Sequence, residues 1–142
     1  MRFLHVMIRV KDISKSLDFY QNLFDLNLTH TIELEDSKLY FLSDEDGQTQ
    51  IELTANYDIP SEGYTNGTAF GHLAFGIDSF DNFNKKLNEM GIKYVYEPFL
   101  MNEANSVIAF IKDPDGNEIE IIKELWKKNG NTANIKEMRK VL

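Results

Sequence analysis

The sequence predicts an α+β protein built from two βαβββ modules, and three observations predict that fold. Two segments of alternating apolar and polar residues, Leu4–Val10 and Ala69–Ile77, are each followed by a helical pattern. Three further strand-like segments follow each helical pattern. The last two of each half resemble each other, as YFLSDEDGQTQIEL and AFIKDPDGNEIEII. A supersecondary unit that recurs in this way indicates an internal duplication.

In the first half, the opening strand LHVMIRV has one aliphatic face, because side chains alternate along a strand. That face contains Leu4, Val6, Ile8 and Val10. Asp12 or Ser14 is the expected N-cap of the helix that follows. The apolar stripe of this helix is Ile13, Leu17, Tyr20 and Phe24. Strands near LNLTHTIEL, KLYFLSD and QTQIELT complete the module.

The second half repeats this order. Its opening strand AFGHLAFGI places Leu73, Phe75 and Ile77 on one face. Asp78 or Ser79 is the expected helix N-cap, and Gly91 is the expected C-cap. The helical stripe is Phe80, Phe83, Leu87 and Met90. Strands near KYVYEPFLM, SVIAFIKD and NEIEIIK follow.

This repeat predicts the domain organisation of the chain. The first module is expected at 1–58, a linker at 59–67, the second module at 68–124 and a basic C-terminal tail at 125–142. A four-stranded sheet with one helix leaves its other face uncovered. The two modules should therefore pair, either within one chain or between chains.

Composition excludes several classes of protein. The formal net charge of −8 argues against a nucleic-acid partner, whose phosphates require basic surface. No apolar run approaches the roughly 18 residues of a membrane span, and the N-terminus lacks the pattern of a signal peptide. The absence of cysteine excludes disulfides, thiolate metal sites and a thiol nucleophile. We therefore expect a cytoplasmic protein without a membrane partner.

Four polar residues occupy matching positions in the two halves. His5 and Glu52 are 47 residues apart, and His72 and Glu120 are 48 apart. Each lies on the strand face opposite its aliphatic neighbours, so all four should point into the cleft of the sheets. Two imidazoles and two carboxylates suit Ni, Co, Zn, Fe or Mn. The sequence thus predicts a metal site, whereas His30 lies outside the repeat and is interpreted as a strand or loop residue.

Four segments carry a resemblance to a known family: LHVMIRVKDISKSLDFY, QIELTANYD, GTAFGHLAFGID and VIAFIKDPDGNEIEII. Over residues 1–124 the chain resembles bacterial glyoxalase I, the lactoylglutathione lyase of the vicinal-oxygen-chelate superfamily. The resemblance implies glyoxalase/bleomycin-resistance-like modules whose U-shaped sheets surround one divalent metal. It implies that His5, Glu52, His72 and Glu120 are the ligands, with water completing an octahedron. It also implies a homodimer with sites between chains, and nickel or cobalt in preference to zinc, which stays possible.

The resemblance further implies the reaction. The substrate would be the hemithioacetal of glutathione and methylglyoxal, and the product S-lactoylglutathione, so the activity is a methylglyoxal detoxification. Glu120 would be the principal base, with Glu52 on the opposite side of the substrate. Arg9 and Asn56 match positions that contact glutathione. The loop PFLMNEAN departs from relatives that place a lysine there, so a small thiol other than glutathione would also fit as the thiol of the substrate.

Other readings of the same fold remain open at this point. An extradiol dioxygenase or a fosfomycin thiol transferase would use three protein ligands rather than four. A methylmalonyl-CoA epimerase shares the proton transfer but resembles the IELTAN segment less. A metal-free sequestration protein, like the bleomycin-binding relatives, would lack the ligands. Glu52, as the fourth ligand, favours the glyoxalase reaction.

Overall fold

The computed structural model describes residues 1–125 and confirms the predicted fold. Two four-stranded mixed sheets form, each accompanied by one helical segment. The chain divides into two compact units. The first contains Met1–Phe70 together with Asp113–Gly116, and the second contains Gly71–Lys112 and continues from Asn117. The basic tail predicted at 125–142 lies, from residue 126 onward, outside the described residues.

The first sheet has the strand order β1-β4-β3-β2. Its strands are β1 (His5–Arg9), β2 (Asn27–Glu33), β3 (Ser37–Ser43) and β4 (Gln50–Asn56). The β1–β4 pair is parallel and the other two pairs are antiparallel. Leu42 and Leu53 are fully buried on the inner strands β3 and β4, as is Val10 directly after β1. These residues belong to the apolar core of the first unit.

The first helical segment is α1 (Ile13–Asp18), which continues as a π-helical turn over Phe19–Leu23. Asp12 is its N-cap, and the Asp12 carboxylate accepts a hydrogen bond of 3.1 Å from the Lys15 backbone N–H. The wider π turn shifts the helical phase by one residue. Phe19, Tyr20 and Leu23 are therefore buried, whereas Phe24, which a uniform helix would bury, is only half-buried.

The second sheet has the matching order β5-β8-β7-β6. Its strands are β5 (His72–Gly76), β6 (Tyr96–Met101), β7 (Ser106–Lys112) and β8 (Glu118–Glu124). Again the pair formed by the first and last strands, β5 and β8, is parallel. The helix α2 (Phe80–Met90) begins at the N-cap Ser79. It ends at Gly91, whose φ of +67° is the left-handed conformation that glycine adopts without strain.

The turn Asp113–Gly116 between β7 and β8 belongs to the first unit because it is bonded to the first helical segment. The Tyr20 hydroxyl donates a buried hydrogen bond of 2.8 Å to Asp113. Asp115 accepts bonds from the Lys11 backbone N–H at 3.0 Å and from the Ser16 hydroxyl at 3.4 Å. Within residues 1–125, neither helix has the length and apolar character to cross a bilayer.

Candidate active site

Each sheet carries one glutamate in the middle of a cross-strand row. In the first sheet, Glu52 lies between Phe41 of β3 and Met7 of β1. In the second, Glu120 lies between Phe110 of β7 and Ala74 of β5. Residues directly opposite each other share one face of a sheet. The duplication predicted from the sequence is thus kept in the register of the strands.

His5 and Glu52 form a close pair in the first unit. The distance from His5 Nε2 to Glu52 Oε2 is 3.0 Å. The His5 side chain is 37% exposed, whereas that of Glu52 is 11% exposed. The imidazole is therefore reachable from solvent, and the carboxylate is sheltered beneath it.

His72 and Glu120 form the equivalent pair in the second unit. The distance from His72 Nε2 to Glu120 Oε2 is again 3.0 Å, with side-chain exposures of 40% and 15%. In the part of the chain that the structure describes, no group of three or more His, Asp or Glu side chains could hold an ion. Among these residues, each unit therefore presents two adjacent donors.

A phenylalanine supports each histidine edge-on. The ring centroids of His5 and Phe41 are 5.5 Å apart at an interplanar angle of 81°. Those of His72 and Phe110 are 5.5 Å apart at 78°. This arrangement favours contact between the edge of one ring and the face of the other. Phe41 and Phe110, which the sequence reasoning did not single out, thus restrain the two imidazoles.

His30, interpreted from the sequence as an ordinary strand or loop residue, lies beside the first pair. Its ring stacks on Phe41 with centroids 4.3 Å apart and an interplanar angle of 4°. A cleft of about 380 Å³ is lined by both His5 and His30. An irregularity in the β2–β3 register between Leu28 and His30 shifts the strand at this point. Alternation counted along the sequence could not place His30 on this face, because it assumes an unbroken register.

Thr54 is a further residue that the sequence reasoning missed. Its hydroxyl donates a buried hydrogen bond of 3.0 Å to Glu52 Oε1. The other carboxylate oxygen, Oε2, is the one near His5. The sequence did contain a signal for this contact, because Thr54 follows Glu52 by two positions and residues two apart on a strand share a face.

Arg9 and Asn56 lie at the far ends of β1 and β4 from His5. Arg9 is exposed and alternates in register with His5, so both are on the same strand face. Asn56 is half-buried, and its Oδ1 accepts a hydrogen bond of 3.4 Å from the Tyr64 hydroxyl. Four residues of strand span about 13 Å. Arg9 therefore lies about 13 Å along β1 from His5.

Comparison with known proteins identifies the family. Residues 2–121 match the Glyoxalase/Bleomycin resistance protein/Dioxygenase superfamily. The chain is 36% identical to the lactoylglutathione lyase of Haemophilus influenzae, with 92% of this chain and 98% of that protein aligned. It is 38% identical to the lactoylglutathione lyase of Neisseria meningitidis serogroup A, with 94% and 96% aligned.

Solved structures agree with this. A glyoxalase I from Zea mays, crystallised as its E144Q mutant, matches with a TM-score of 0.75 and 31% identity. The match covers 85% of this chain and 44% of the maize chain. The trypanothione-dependent glyoxalase I of Leishmania major matches with a TM-score of 0.72 and 30% identity, covering 87% of each chain. The chain therefore belongs to the glyoxalase I family of the vicinal-oxygen-chelate superfamily.

Proposed function

We propose that this chain is a lactoylglutathione lyase that isomerises the hemithioacetal of methylglyoxal and glutathione to S-lactoylglutathione. The observation that carries the proposal is the duplicated His–Glu pair, separated by 3.0 Å in each module. Its near full-length relatives bear the name lactoylglutathione lyase. The fold alone would support many chemistries, so the paired side chains carry the argument.

The geometry of each pair fits a divalent metal. Two adjacent ligands of an octahedral ion with bonds of about 2.1 Å are about 3.0 Å apart. That is the distance between the imidazole nitrogen and the carboxylate oxygen in both pairs. Nitrogen and carboxylate donors without sulfur suit nickel, cobalt or zinc. We propose one ion per site, with nickel or cobalt preferred and zinc possible.

Each pair would supply half of a four-ligand set: His5 and Glu52 from a first module, His72 and Glu120 from a second. We propose that a homodimer completes the site, so that each copy contributes one half. Two donors hold an ion weakly, whereas four give it most of an octahedral shell. Cytoplasmic residence is part of the same proposal.

The chemistry requires one proton to move between neighbouring carbons. We propose that a Glu120 carboxylate oxygen removes the proton from the hemithioacetal carbon that bears sulfur. The C–H electron pair then forms the double bond of an enediolate. Glu120 returns the proton to the adjacent carbon, and the hydroxyl proton of the sulfur-bearing carbon passes to the neighbouring oxygen, which yields the thioester without an external oxidant or reductant. A bound divalent ion would stabilise the negative charge that develops on the two vicinal oxygens.

Arg9 and Asn56 are the residues we propose for the thiol end of the substrate. The chain has a net charge of −8, so its overall field repels the carboxylates of glutathione. A local cation such as Arg9 must therefore anchor them. The β6–β7 turn carries Asn102 and Glu103 in place of a lysine. A related enzyme is described as trypanothione-dependent, so the thiol is to be tested directly.

The test is metal removal followed by restoration. After dialysis against a chelator, turnover of methylglyoxal plus glutathione, followed by thioester absorbance, should fall at least about 100-fold. Nickel or cobalt should restore it, and zinc should restore it less. Magnesium is the control, because it prefers all-oxygen sites and should restore little. Parallel assays with trypanothione identify the preferred thiol.

One result would replace the proposal with the sequestration hypothesis. In that case none of the metals would restore thioester formation with either thiol, while the full chain would still bind a small apolar ligand tightly.

A further inference from the structure

The two glutamates differ in the residue two positions further along the strand. In β4 this is Thr54, which is 5% exposed and whose hydroxyl donates a hydrogen bond to Glu52 Oε1. Glu52, counted as a whole residue, is 8% exposed. Both carboxylate oxygens of Glu52 thus have fixed neighbours, since Thr54 holds Oε1 and His5 lies at Oε2.

The equivalent position in β8 is Ile122. The register shows the equivalence, because Thr54 lies opposite Leu39 and Ile122 lies opposite Ile108, each two residues beyond the matched phenylalanine. Isoleucine has no hydrogen-bond donor in its side chain. Among residues 1–125, the polar partner that the structure gives the Glu120 carboxylate is His72.

We infer that Thr54 is a positioning residue that fixes the Glu52 carboxylate as a permanent ligand, and that Ile122 leaves the Glu120 carboxylate able to rotate. The inference rests on the proposed function, because it explains how two identical side chains take different roles. Thr54 acts through Glu52, whereas Glu120 is the group that would contact the substrate.

The physical reason is the terminal torsion of the carboxylate. This torsion is broad and nearly two-fold for glutamate, so a carboxylate anchored at one oxygen turns readily. A second hydrogen bond removes that freedom and orients the ligating oxygen before the ion arrives. Hydrogen bonds to metal ligands commonly contribute about 10–100-fold to metal affinity. A base that must accept and return a proton needs the opposite property, which Ile122 preserves.

The first test compares Thr54→Val with Thr54→Ser in the full chain. Valine has nearly the shape of threonine but lacks the donor, so T54V should lower the affinity for Ni²⁺ by about 10–100-fold, measured by calorimetry on the apo protein. T54S keeps a hydroxyl and should stay within about threefold of the wild type. The visible spectrum of the cobalt-loaded protein should change in T54V and not in T54S. Thermal unfolding of each apo variant separates a change of site from a loss of fold.

The reciprocal test adds the hydroxyl to the second module. Ile122→Thr should lower kcat by about 10-fold while the affinity for Ni²⁺ stays equal or rises, because a second anchor restrains Glu120. Ile122→Val is the matched control, because valine has the shape of threonine without its donor. I122V should retain the wild-type kcat.

Two results overturn the inference. One is a T54V variant that binds Ni²⁺ as tightly as the wild type, and the other is a T54S variant as weak as T54V. If the wild type binds metal and forms the thioester, either result removes the role of Thr54 and leaves the proposed function standing. If the wild type neither binds metal nor forms the thioester, both proposals fail together.

Discussion

The two modules have the same framework and different surroundings for their central glutamates. Each has a parallel pair of first and last strands, a His–Glu pair at 3.0 Å and an edge-on phenylalanine. In the first module, however, Glu52 accepts a hydrogen bond from the Thr54 hydroxyl, and His30 stacks on the neighbouring Phe41. In the second module Ile122 lies two residues beyond Glu120, and Tyr96 contacts the neighbouring Phe110 edge-on.

This difference shows which features a duplicated site keeps and which it can vary. The strand register fixes where the imidazole and carboxylate lie, because a slip of one residue would turn them to the other face. The residues beside them are free to differ once that register is set. The strand partner of Thr54 on β1 is Arg9, whereas that of Ile122 on β5 is Gly76. The first module therefore places side chains with hydrogen-bond donors two residues beyond its glutamate, whereas the second places side chains without donors there.

The largest expected effect distinguishes the role of the Glu120 carboxylate from that of the Glu52 carboxylate. Glu120→Gln should lower kcat by about 10²–10⁴-fold, because it removes the proposed general base. Metal content should remain near that of the wild type, since the amide oxygen can still coordinate. Glu52→Gln should instead lower metal affinity more than it lowers turnover per bound ion. Both quantities are measured on the same preparations, by elemental analysis and by thioester absorbance.

Equal losses of metal and turnover in E120Q would make Glu120 only a ligand. The comparison between the modules would then describe two equivalent half-sites rather than a ligand and a base.

The strands and helix ends were predictable from local patterns. Alternation placed β1 and β5 to within a few residues. Capping chemistry narrowed the helix starts to Asp12 or Ser14 and to Asp78 or Ser79, and the structure shows Asp12 and Ser79 forming the expected bonds. The π-helical turn at Phe19–Leu23 was not predictable, because its extra residue interrupts a spacing that looks uniformly helical. Sequence periodicity reports the average pitch of a helix and not its local defects.

The candidate site, too, was predictable only in part. The pairing of His5 with Glu52, and of His72 with Glu120, followed from repeat spacing and strand parity. The position of His30 did not, because a strand irregularity changes the parity just before it. The assembly of the two pairs into one metal site stays a prediction. Its basis is the matched positions of the four residues in the repeat, together with the resemblance.

The next-largest expected effect is on the free energy of unfolding, and it compares the two hairpin turns, DEDG at residues 44–47 and DPDG at residues 113–116. Asp113 is 5% exposed and accepts the Tyr20 hydroxyl at 2.8 Å, whereas Asp44 is exposed and caps its own turn. Burial, and next the charge of Asp113, raise the pKa of the Tyr20 phenol well above its ordinary value, so the hydroxyl stays a donor. Asp113→Asn should lower the free energy of unfolding by about 1–3 kcal/mol, because a neutral amide replaces the charged acceptor of the Tyr20 hydroxyl and brings a buried N–H group that needs a partner. Chemical denaturation of the full chain measures it.

Asp44→Asn is the matched control, and it should change the free energy of unfolding by less than about 0.5 kcal/mol, as is usual for exposed positions. Equal destabilisation by the two substitutions would show that the turn sequence itself matters rather than its contact with Tyr20.

The smallest expected effect is a pH dependence from Asp115, the third residue of the DPDG turn. Burial is the main cause that raises the pKa of its carboxyl above the ordinary 3.8. A raised pKa means that the folded state holds the proton more tightly than the unfolded state does. The resulting stabilisation is complete below the unfolded pKa and is lost as pH rises through the folded pKa.

Asp115→Asn removes this titration along with part of the bonding to Lys11 and Ser16, and that bonding loss is a constant offset. The free energy of unfolding of the wild type, relative to D115N, should therefore fall by less than about 1 kcal/mol between pH 3 and pH 7. Asp46→Asn is the control at the exposed equivalent position in the first hairpin. A difference between wild type and D115N that grows with pH would show that the charged form of Asp115 is favoured by folding, through its bonds to Lys11 and Ser16.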